Sequence, residues 1–316
     1  MEGLTGYLFR NTHHELFPGI DRYYSPFLSA NHNFSFQGKE KEDVAPENNR
    51  ELTLIPQLLT KHAEEFVWGV RTLGKAGYRE VNLNLGCPSS TVSAKGKGAG
   101  FLAYPAELDA FFKETFLKLT DSGEDPAVSV KTRIGYADPS EAARLMEIYN
   151  RYPIAELIIH ARVRNAMYNG TADTETFAGM YGERSMPVCY NGDIRTAADF
   201  DRIADRFPDL HAVMIGRALI RNPALVREIG GGAPLAKQEL KRFHDTLFRR
   251  YTGHYSERIC VGRMKELWYY WEDLFVRPDG PFYDSAAAGM ERMLRNIKKS
   301  VGKMEYIAAA GALLGR

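Results

Sequence analysis

Cys87 closes the stretch VNLNLGCPSS, residues 81–90, where an alternating apolar run meets Gly86 and Pro88 and stops. A thiol at that point is expected to project into the mouth of any site built at the strand ends. The bland alternative is a buried small hydrophobe, the usual fate of a lone cysteine. Such a residue needs neither a glycine before it nor a proline after it. Cys189, flanked by Val188 and Tyr190 within an apolar run, reads as core packing, and Cys260 lies in a helical region with no evident partner.

Four further apolar runs end in polar groups that a buried strand would avoid. SVKTR sets Ser129, Lys131 and Arg133 on one face by the two-residue period of a strand, and IIHAR does the same with His160 and Arg162. VCYNGD ends in Asn191, Gly192 and Asp193, and VMIGRA ends in Gly216 and Arg217. One such ending would read as a satisfied structural residue. Several converge on one site if the runs are parallel strands of an α/β barrel, where active sites collect at the C-terminal strand ends. The last two endings suit a phosphate, because barrels bind that anion at the loops after strands seven and eight with backbone N–H groups and a helix N-terminus. A cation at Lys131 on the opposing wall suits the negative charge of a reduced flavin.

The elements that must position these residues alternate along the chain. Seven strand-length runs occur: YYSPFLSA, LTLIPQLL, EVNLNLGC, AVSVKTRIG, AELIIHAR, MPVCYNGDI and AVMIGRAL. Amphipathic patterns such as KHAEEFVWGVRTLGKAGY, PAELDAFFKETFLKLTDSG and DPSEAARLMEIYNRY lie between several of them. Strand and helix alternating in this way indicate parallel βαβ units. Seven is one short of an eight-stranded barrel, and MEGLTGYLFRNTHHELF begins as a strand-to-helix junction with no strand before it. Beyond the break GGGAP the strands cease, and KQELKRFHDTLFRRY, GRMKELWYYWEDLF and ERMLRNIKKSVGKM are all helical. The expected fold is therefore a TIM (β/α)8-type barrel over residues 1–233, lacking its first strand in this chain, followed by a small all-helical domain over 234–316. Trp268 and Trp271 lie three apart on one helical face and read as core, while QGKEKEDVAPENN reads as a surface loop.

Composition sets the setting. The chain has 316 residues, 44% hydrophobic and 26% charged, as is ordinary for a globular protein. Its three cysteines form no CxxC pair, which points to a reducing, cytoplasmic compartment. No apolar run approaches the roughly 18 residues that span a bilayer, and no signal-peptide pattern opens the chain. Neither a membrane nor a metal is expected as a partner, and the chain is expected to act as a monomer. Net charge is +1, but residues 235–316 carry +5 and the remainder −4. An imbalance of that size also fits an ordinary solvated helical surface.

The segments MEGLTGYLFR, PQL, NLNLGCPSSTV, VKTRIG, HARVRNAMYNGTAD, NGDI and VMIGRALIRNP, in this order, resemble the tRNA-dihydrouridine synthase family. The resemblance implies an FMN-bearing eight-stranded barrel, a helical domain that helps hold tRNA, and reduction of the C5–C6 double bond of a uridine with NADPH or NADH as reductant. Carried over by position, Met1, Gln57, Lys131, His160, Asn191, Gly192, Asp193, Gly216 and Arg217 would contact FMN. Asn84, Arg133 and Arg162 would lie near the target uracil, and Cys87 would be the general acid. Ala161 and Val163 stand where the family usually has Gly and Thr, and Arg221 and Ala224 where it often has Gly and Trp, marking a divergent branch. The family pattern also places an apolar strand directly before the Met-Glu-Gly-x-Thr turn. Met1 is thus expected to be internal in the natural protein, with a gap between YYSPFLSA and AVMIGRAL.

The chemistry of that family agrees with the residues. Hydride from reduced FMN to uracil C6 leaves C5 in need of a proton, and a thiol, with a reference pKa of about 8.5, can donate one near neutral pH. Cationic neighbours would stabilise charge developing on the pyrimidine carbonyl. The base must leave the RNA fold to reach the site, and Tyr168 and Arg164 are candidate RNA contacts. Two other readings stay open: an FMN-dependent reductase or dehydrogenase of free pyrimidines, of dihydropyrimidine or dihydroorotate type, and an RNA-binding relative without catalysis. The basic helical segment, needless for a free base, weighs against the first, and the presence of Cys87, Lys131 and His160 against the second.

Overall fold

Each of the seven apolar runs becomes a strand, because β-branched and aliphatic residues at period two present one face to helices and the other to a shared interior. The computed structural model describes residues 1, 3–29, 33–120, 125–283 and 289–315. The strands are β1 Tyr23–Leu28, β2 Leu54–Leu58, β3 Glu80–Asn84, β4 Ala127–Gly135, β5 Leu157–Val163, β6 Val188–Asn191 and β7 Ala212–Met214. They form one parallel sheet in the order β1 to β7, with β1 and β7 at its edges among the described residues. This is the sequential, curled sheet of a (β/α)8-type barrel with seven strands present. Register sets Asn82 opposite both Gln57 and Ser129, and Asn191 opposite His160.

Several strands are shorter than the apolar runs. Asn191 ends β6 because Gly192 (φ 147°) and Asp193 (φ 46°) turn the chain out of the extended region. β7 stops at Met214, and a short helix, Arg217–Arg221, follows at once. The end of YYSPFLSA at Ala30 falls outside the described residues, as does the tail of PAELDAFFKETFLKLTDSG beyond residue 120. The segment QGKEKEDVAPENN corrects the expectation of a plain surface loop: it holds the helix Gly38–Asp43 and a 3-10 turn at Pro46–Asn48. Glu40 accepts from the backbone N–H of Gln37 and of Ser29, and the buried Asn49 donates to the carbonyls of Asp43 and Ala45. Polar side chains that cap their own backbone order a segment that has few apolar residues.

The chain divides into two compact units. The first, Arg22–Asp193 with Ile203–Met214, contains the whole sheet. The helices Ala63–Lys75, Pro105–Thr120, Glu141–Tyr149 and Thr174–Gly182 lie between its strands in the chain. Gly69 is small because a Cβ there would come within 2.7 Å of the Leu58 side chain, so this helix approaches β2 closely. At the N-terminal strand ends the buried Glu156 accepts from Arg22 (2.7 Å) and Tyr24 (3.2 Å) and lies 3.4 Å from His211. Such a cluster, at the face opposite the chemistry of parallel barrels, reads as a structural tie.

The second unit, Met1–Asp21 with Ile194–Arg202 and Ile215–Arg316, is helical. Its long helices are Tyr7–Leu16, Lys237–His254, Glu257–Trp271, Met290–Lys299 and Lys303–Leu314. Trp268 and Trp271 are fully buried in its core, as their spacing predicts, together with Phe9, Phe243, Met264 and Tyr306. The third helical pattern of this region breaks into two helices at 300–302, where Ser300 is buried and Gly302 precedes the last helix.

Candidate active site

The site is built on the face of the sheet turned away from the helices. Leu58 packs on the helix Ala63–Lys75, so Gln57 points the other way, and the same alternation turns Asn82 and Asn84 inward from β3. These amides are buried, and an unpaired buried amide costs a few kcal/mol. Pairing removes that cost. Asn84 Nδ2 donates to Gln57 Oε1 (2.6 Å), Gln57 Nε2 to Asn82 Oδ1 (2.8 Å), and Asn82 Nδ2 to Ser129 Oγ (2.9 Å). Ser25 of β1 adds its hydroxyl as acceptor for the Gln57 backbone N–H (3.0 Å).

Cys87 stands at the end of this chain of amides. The N–H groups of Gly86 and Cys87 both donate to Asn84 Oδ1, at 3.0 and 2.9 Å. The Gly86 carbonyl accepts from Arg133 Nε (2.9 Å), and the Cys87 carbonyl from the Ala99 N–H (3.0 Å). Gly98, with φ of 57°, allows the following loop to lie against this turn: a Cβ there would come within 3.1 Å of the Cys87 Cβ. Of the three free cysteines only Cys87 is a partly exposed residue, while Cys189 and Cys260 are buried. Cys189, expected to pack in the core, is buried within β6, and Cys260 is buried in the helical unit.

Lys131 and Asn191 meet across the strand ends, with Nζ donating to Oδ1 at 3.0 Å, and Asn191 Nδ2 donates to the Met214 carbonyl (2.7 Å). Among the described residues Lys131 has no carboxylate partner. It is only half-buried as a whole residue, yet burial of its ammonium, and then the charge of Arg133, bring its pKa down to about 8. A Cβ on Gly86 would lie 3.7 Å from this ammonium, so the cation and the Cys87 turn are neighbours.

Arg133 and Arg162 are buried and tie loops together. Arg133, 1% exposed, donates to the carbonyls of Gly86, Val163 (3.0 Å) and Met167 (2.8 Å), and its guanidinium lies 5.4 Å from the centre of the Tyr168 ring. Burial lowers its pKa to about 10. Arg162 donates to the Asn169 (3.1 Å) and Gly170 (2.6 Å) carbonyls and pairs with Asp193 Oδ2 at 2.6 Å. The same carboxylate oxygen accepts from the Ala172 N–H (2.9 Å), so Asp193 fastens the loop after β5. His160 lies beside them, 3.4 Å from Arg162, with its ring 6.1 Å from that of Tyr168. Gly192 has a left-handed φ, and a Cβ on it would crowd Ala172 (3.1 Å) and the Tyr190 hydroxyl (3.3 Å) and would touch His160 (3.6 Å).

Gln57, Asn84, Cys87, Lys131, Arg133, His160, Arg162, Asn191, Gly192 and Asp193 thus share one end of the sheet in the first unit. Met1, Gly216 and Arg217 belong to the second unit. There Gly216 and Arg217 are exposed at the start of the helix Arg217–Arg221. Met1 begins a turn in which its carbonyl accepts from Thr5 N–H (3.1 Å) and the Gly3 carbonyl accepts from Arg263 (2.7 Å). Sequence reasoning passed over Asn82, Ser25 and Gly98. Asn82 carried a usable signal, since it shares the two-residue period of Asn84 in an otherwise aliphatic strand.

The fit of a flavin mononucleotide can be judged from this donor set. An ammonium that no carboxylate among the described residues neutralises, an inward amide edge and a glycine beside His160 suit an anionic, planar, hydrogen-bonding ligand. Among the described residues no group of three or more His, Cys, Asp or Glu could hold a metal ion, and no helix is long and apolar enough to cross a membrane.

The family model described as dihydrouridine synthase (Dus) matches residues 1–255. The chain is 27% identical over 230 residues to tRNA-dihydrouridine synthase B of Pasteurella multocida (strain Pm70), a match covering 72% of this chain and 66% of that protein. It is 25% identical over 300 residues to tRNA-dihydrouridine synthase B of Klebsiella pneumoniae, covering 90% of this chain and 91% of that one. The match thus spans just under two thirds of the first relative and most of the second. Among solved structures, morphinone reductase superposes with a TM-score of 0.50 at 12% identity, covering 75% of this chain and 84% of that one. At that identity the likeness speaks for the fold alone.

Proposed function

The chain belongs to the dihydrouridine synthase family, and on that footing we propose that it reduces specific uridines in tRNA to 5,6-dihydrouridine. The observation that carries this reading is Cys87, partly exposed and held on a turn beside the Lys131 ammonium, whose hydrogen-bond partner among the described residues is the Asn191 amide. In the first unit FMN would be held by Gln57, Lys131, His160, Asn191 and Gly192, with Asp193 bracing the loop beside them. The reductant is NADPH or NADH. The chemistry supplied by the bound, reduced cofactor is hydride delivery to uracil C6.

The remaining tasks fall to the chain. Cys87 gives its thiol proton to C5. Lys131 holds positive charge beside the place where negative charge develops, in a setting where burial makes such an interaction stronger than in water. Arg133 and Arg162 keep the loops around the base in place, with Tyr168 exposed above them. Residues 1–233 are assigned the FMN-binding and catalytic role and 234–316 the role of holding tRNA, within a cytoplasmic monomer.

The test uses purified protein with FMN, NADPH and tRNA lacking dihydrouridine, with free uracil and dihydroorotate as rival substrates. Dihydrouridine in tRNA without turnover of the free bases supports the proposal. Turnover of free bases alone would move the activity to a pyrimidine reductase, and a protein that binds tRNA but shows no flavin spectrum would be a non-catalytic relative.

A further inference from the structure

We infer that Asn82 is a positioning residue for Gln57, and through Gln57 for the flavin. The inference deepens the proposed function and rests on it for the role of Gln57 as an FMN contact. Asn82 sits in the middle of β3, opposite Gln57 on one side and Ser129 on the other. It is 0% exposed, against 7% for Gln57 and 6% for Asn84, so a ligand at the strand ends meets those two amides first. The chain of amides that joins them has a fixed polarity. Asn84 Oδ1 takes the backbone N–H groups of Gly86 and Cys87, and a backbone N–H can only donate. The Asn84 amide therefore presents Nδ2 to Gln57, which must answer with Oε1, leaving Gln57 Nε2 to face Asn82 Oδ1. Asn82 Nδ2 is then left to donate to the Ser129 hydroxyl.

Polarity alone does not fix an amide. With Asn84 as its one anchor, the Gln57 amide could swing about that hydrogen bond; the bond to Asn82 at the opposite atom holds its plane. The pinned amide offers a donor. Nε2 carries two N–H groups, and among the described residues the bond to Asn82 uses one, so the second is available to an acceptor on a planar ring ligand. Ser129 supplies the contrast. Its hydroxyl closes the chain on the far side of Asn82, and its loss leaves both bonds to Gln57 in place. A chain whose only task is to satisfy buried amides would suffer alike at either link, since each removal strands one buried N–H. A positioning role makes the two unequal: removing Asn82 Oδ1 unpins Gln57, and removing the Ser129 hydroxyl does not.

The experiment is a double-mutant cycle on the full-length protein, with FMN affinity read by quenching of flavin fluorescence. Asn82→Leu, which keeps the side chain's size and removes its polar atoms, should weaken FMN binding roughly five- to tenfold, and Ser129→Ala should leave it within about twofold. In a Gln57→Leu background, Asn82→Leu should change the affinity by less than about twofold, because its effect passes through Gln57. A second readout needs no flavin. The side-chain amide of Gln57, assigned by its disappearance from the NMR spectrum of Gln57→Leu, should exchange its protons with solvent at least about tenfold faster in Asn82→Leu than in wild type. In Ser129→Ala that exchange should stay within about twofold of wild type. An unchanged affinity in Asn82→Leu would overturn the inference, as would the same loss with Gln57 present and absent, or an equal loss in Ser129→Ala. If Asn82→Leu does not fold, Asn82→Ser takes its place with the same expectations, its hydroxyl one bond short of Gln57. Should the wild type bind no FMN, the proposed function falls, and the exchange rates alone decide whether Asn82 pins Gln57.

Discussion

The two units bury polar groups in opposite ways. In the helical unit, Trp268 Nε1 donates to the Tyr306 hydroxyl (2.9 Å), which donates to His244 Nε2 (2.7 Å), whose Nδ1–H donates to Asp245 (2.8 Å). Burial lowers the pKa of His244, keeping it neutral, and the hydrogen bond from His244 holds Asp245 down to about 2. Its donors find acceptors and its charge ends at the half-exposed Asp245, so the network is complete without a ligand. In the sheet unit the amides are also paired, but the same interior keeps an ammonium whose described partner is an amide oxygen. A buried cation without a carboxylate is costly in a folded protein and is tolerated where an anion is to be bound. The helical network specifies a core; the sheet network specifies a site.

That contrast breaks most sharply at Cys87. Cys87→Ala should keep FMN and tRNA binding and lose turnover by roughly 10²–10⁴-fold, the usual worth of a general acid. Single-turnover reduction of tRNA by pre-reduced protein, followed by flavin absorbance, measures it.

Lys131 comes next. Lys131→Met should weaken FMN binding by roughly 10- to 100-fold, as loss of a charge-assisted hydrogen bond would. The pH dependence follows from the lowered pKa. The folded state holds fewer protons on this lysine than the unfolded state between about 8 and 10.5, so its contribution to the stability of the FMN-free protein rises with pH through that window and is a constant penalty below it. FMN binding favours the charged form, so affinity should fall above pH 8 by up to about tenfold per unit in wild type. Fluorescence titration from pH 7 to 9.5 should find the Lys131→Met protein nearly flat.

In the helical unit, Tyr306→Phe strands Trp268 Nε1 and His244 Nε2 and should cost about 1–3 kcal/mol of stability. Urea unfolding measures that loss, and iodoacetamide labelling of Cys87 should stay as in wild type. The smallest effect concerns surface charge. Lys298 is paired with Glu272 and half-buried, whereas Lys299 and Arg292 on the same helix are exposed. Lys299→Glu with Arg292→Glu should reduce the salt dependence of tRNA binding by about one to two in log–log slope. Lys298→Glu should act mainly on stability, through repulsion with Glu272.

The sequence was a good guide where a side chain's partner lies on its own or a neighbouring strand. The inward period of Ser129, Lys131 and Arg133, and the burial of Cys189, Trp268 and Trp271, follow from local spacing. The seven strands and the helical C-terminal region were legible for the same reason. The uses of the inward residues were not. Arg133 donates to carbonyls on two different loops, and Asp193 clamps Arg162 through a chain reversal, because long side chains satisfy buried backbone wherever folding brings it. The helix in QGKEKEDVAPENN was missed because its stability comes from capping by Gln37 and Glu40 rather than from an apolar stripe.

The most direct test of the central claim is a single turnover of pre-reduced, FMN-loaded protein with tRNA lacking dihydrouridine, in wild type and Cys87→Ala side by side. Wild type should oxidise its flavin and leave a stoichiometric amount of dihydrouridine in the tRNA, while Cys87→Ala, with equal flavin content and tRNA affinity, should form the product at least about a hundredfold more slowly. Equal rates in the two proteins would contradict the assignment of Cys87 as the acid and the reading of the site built around it.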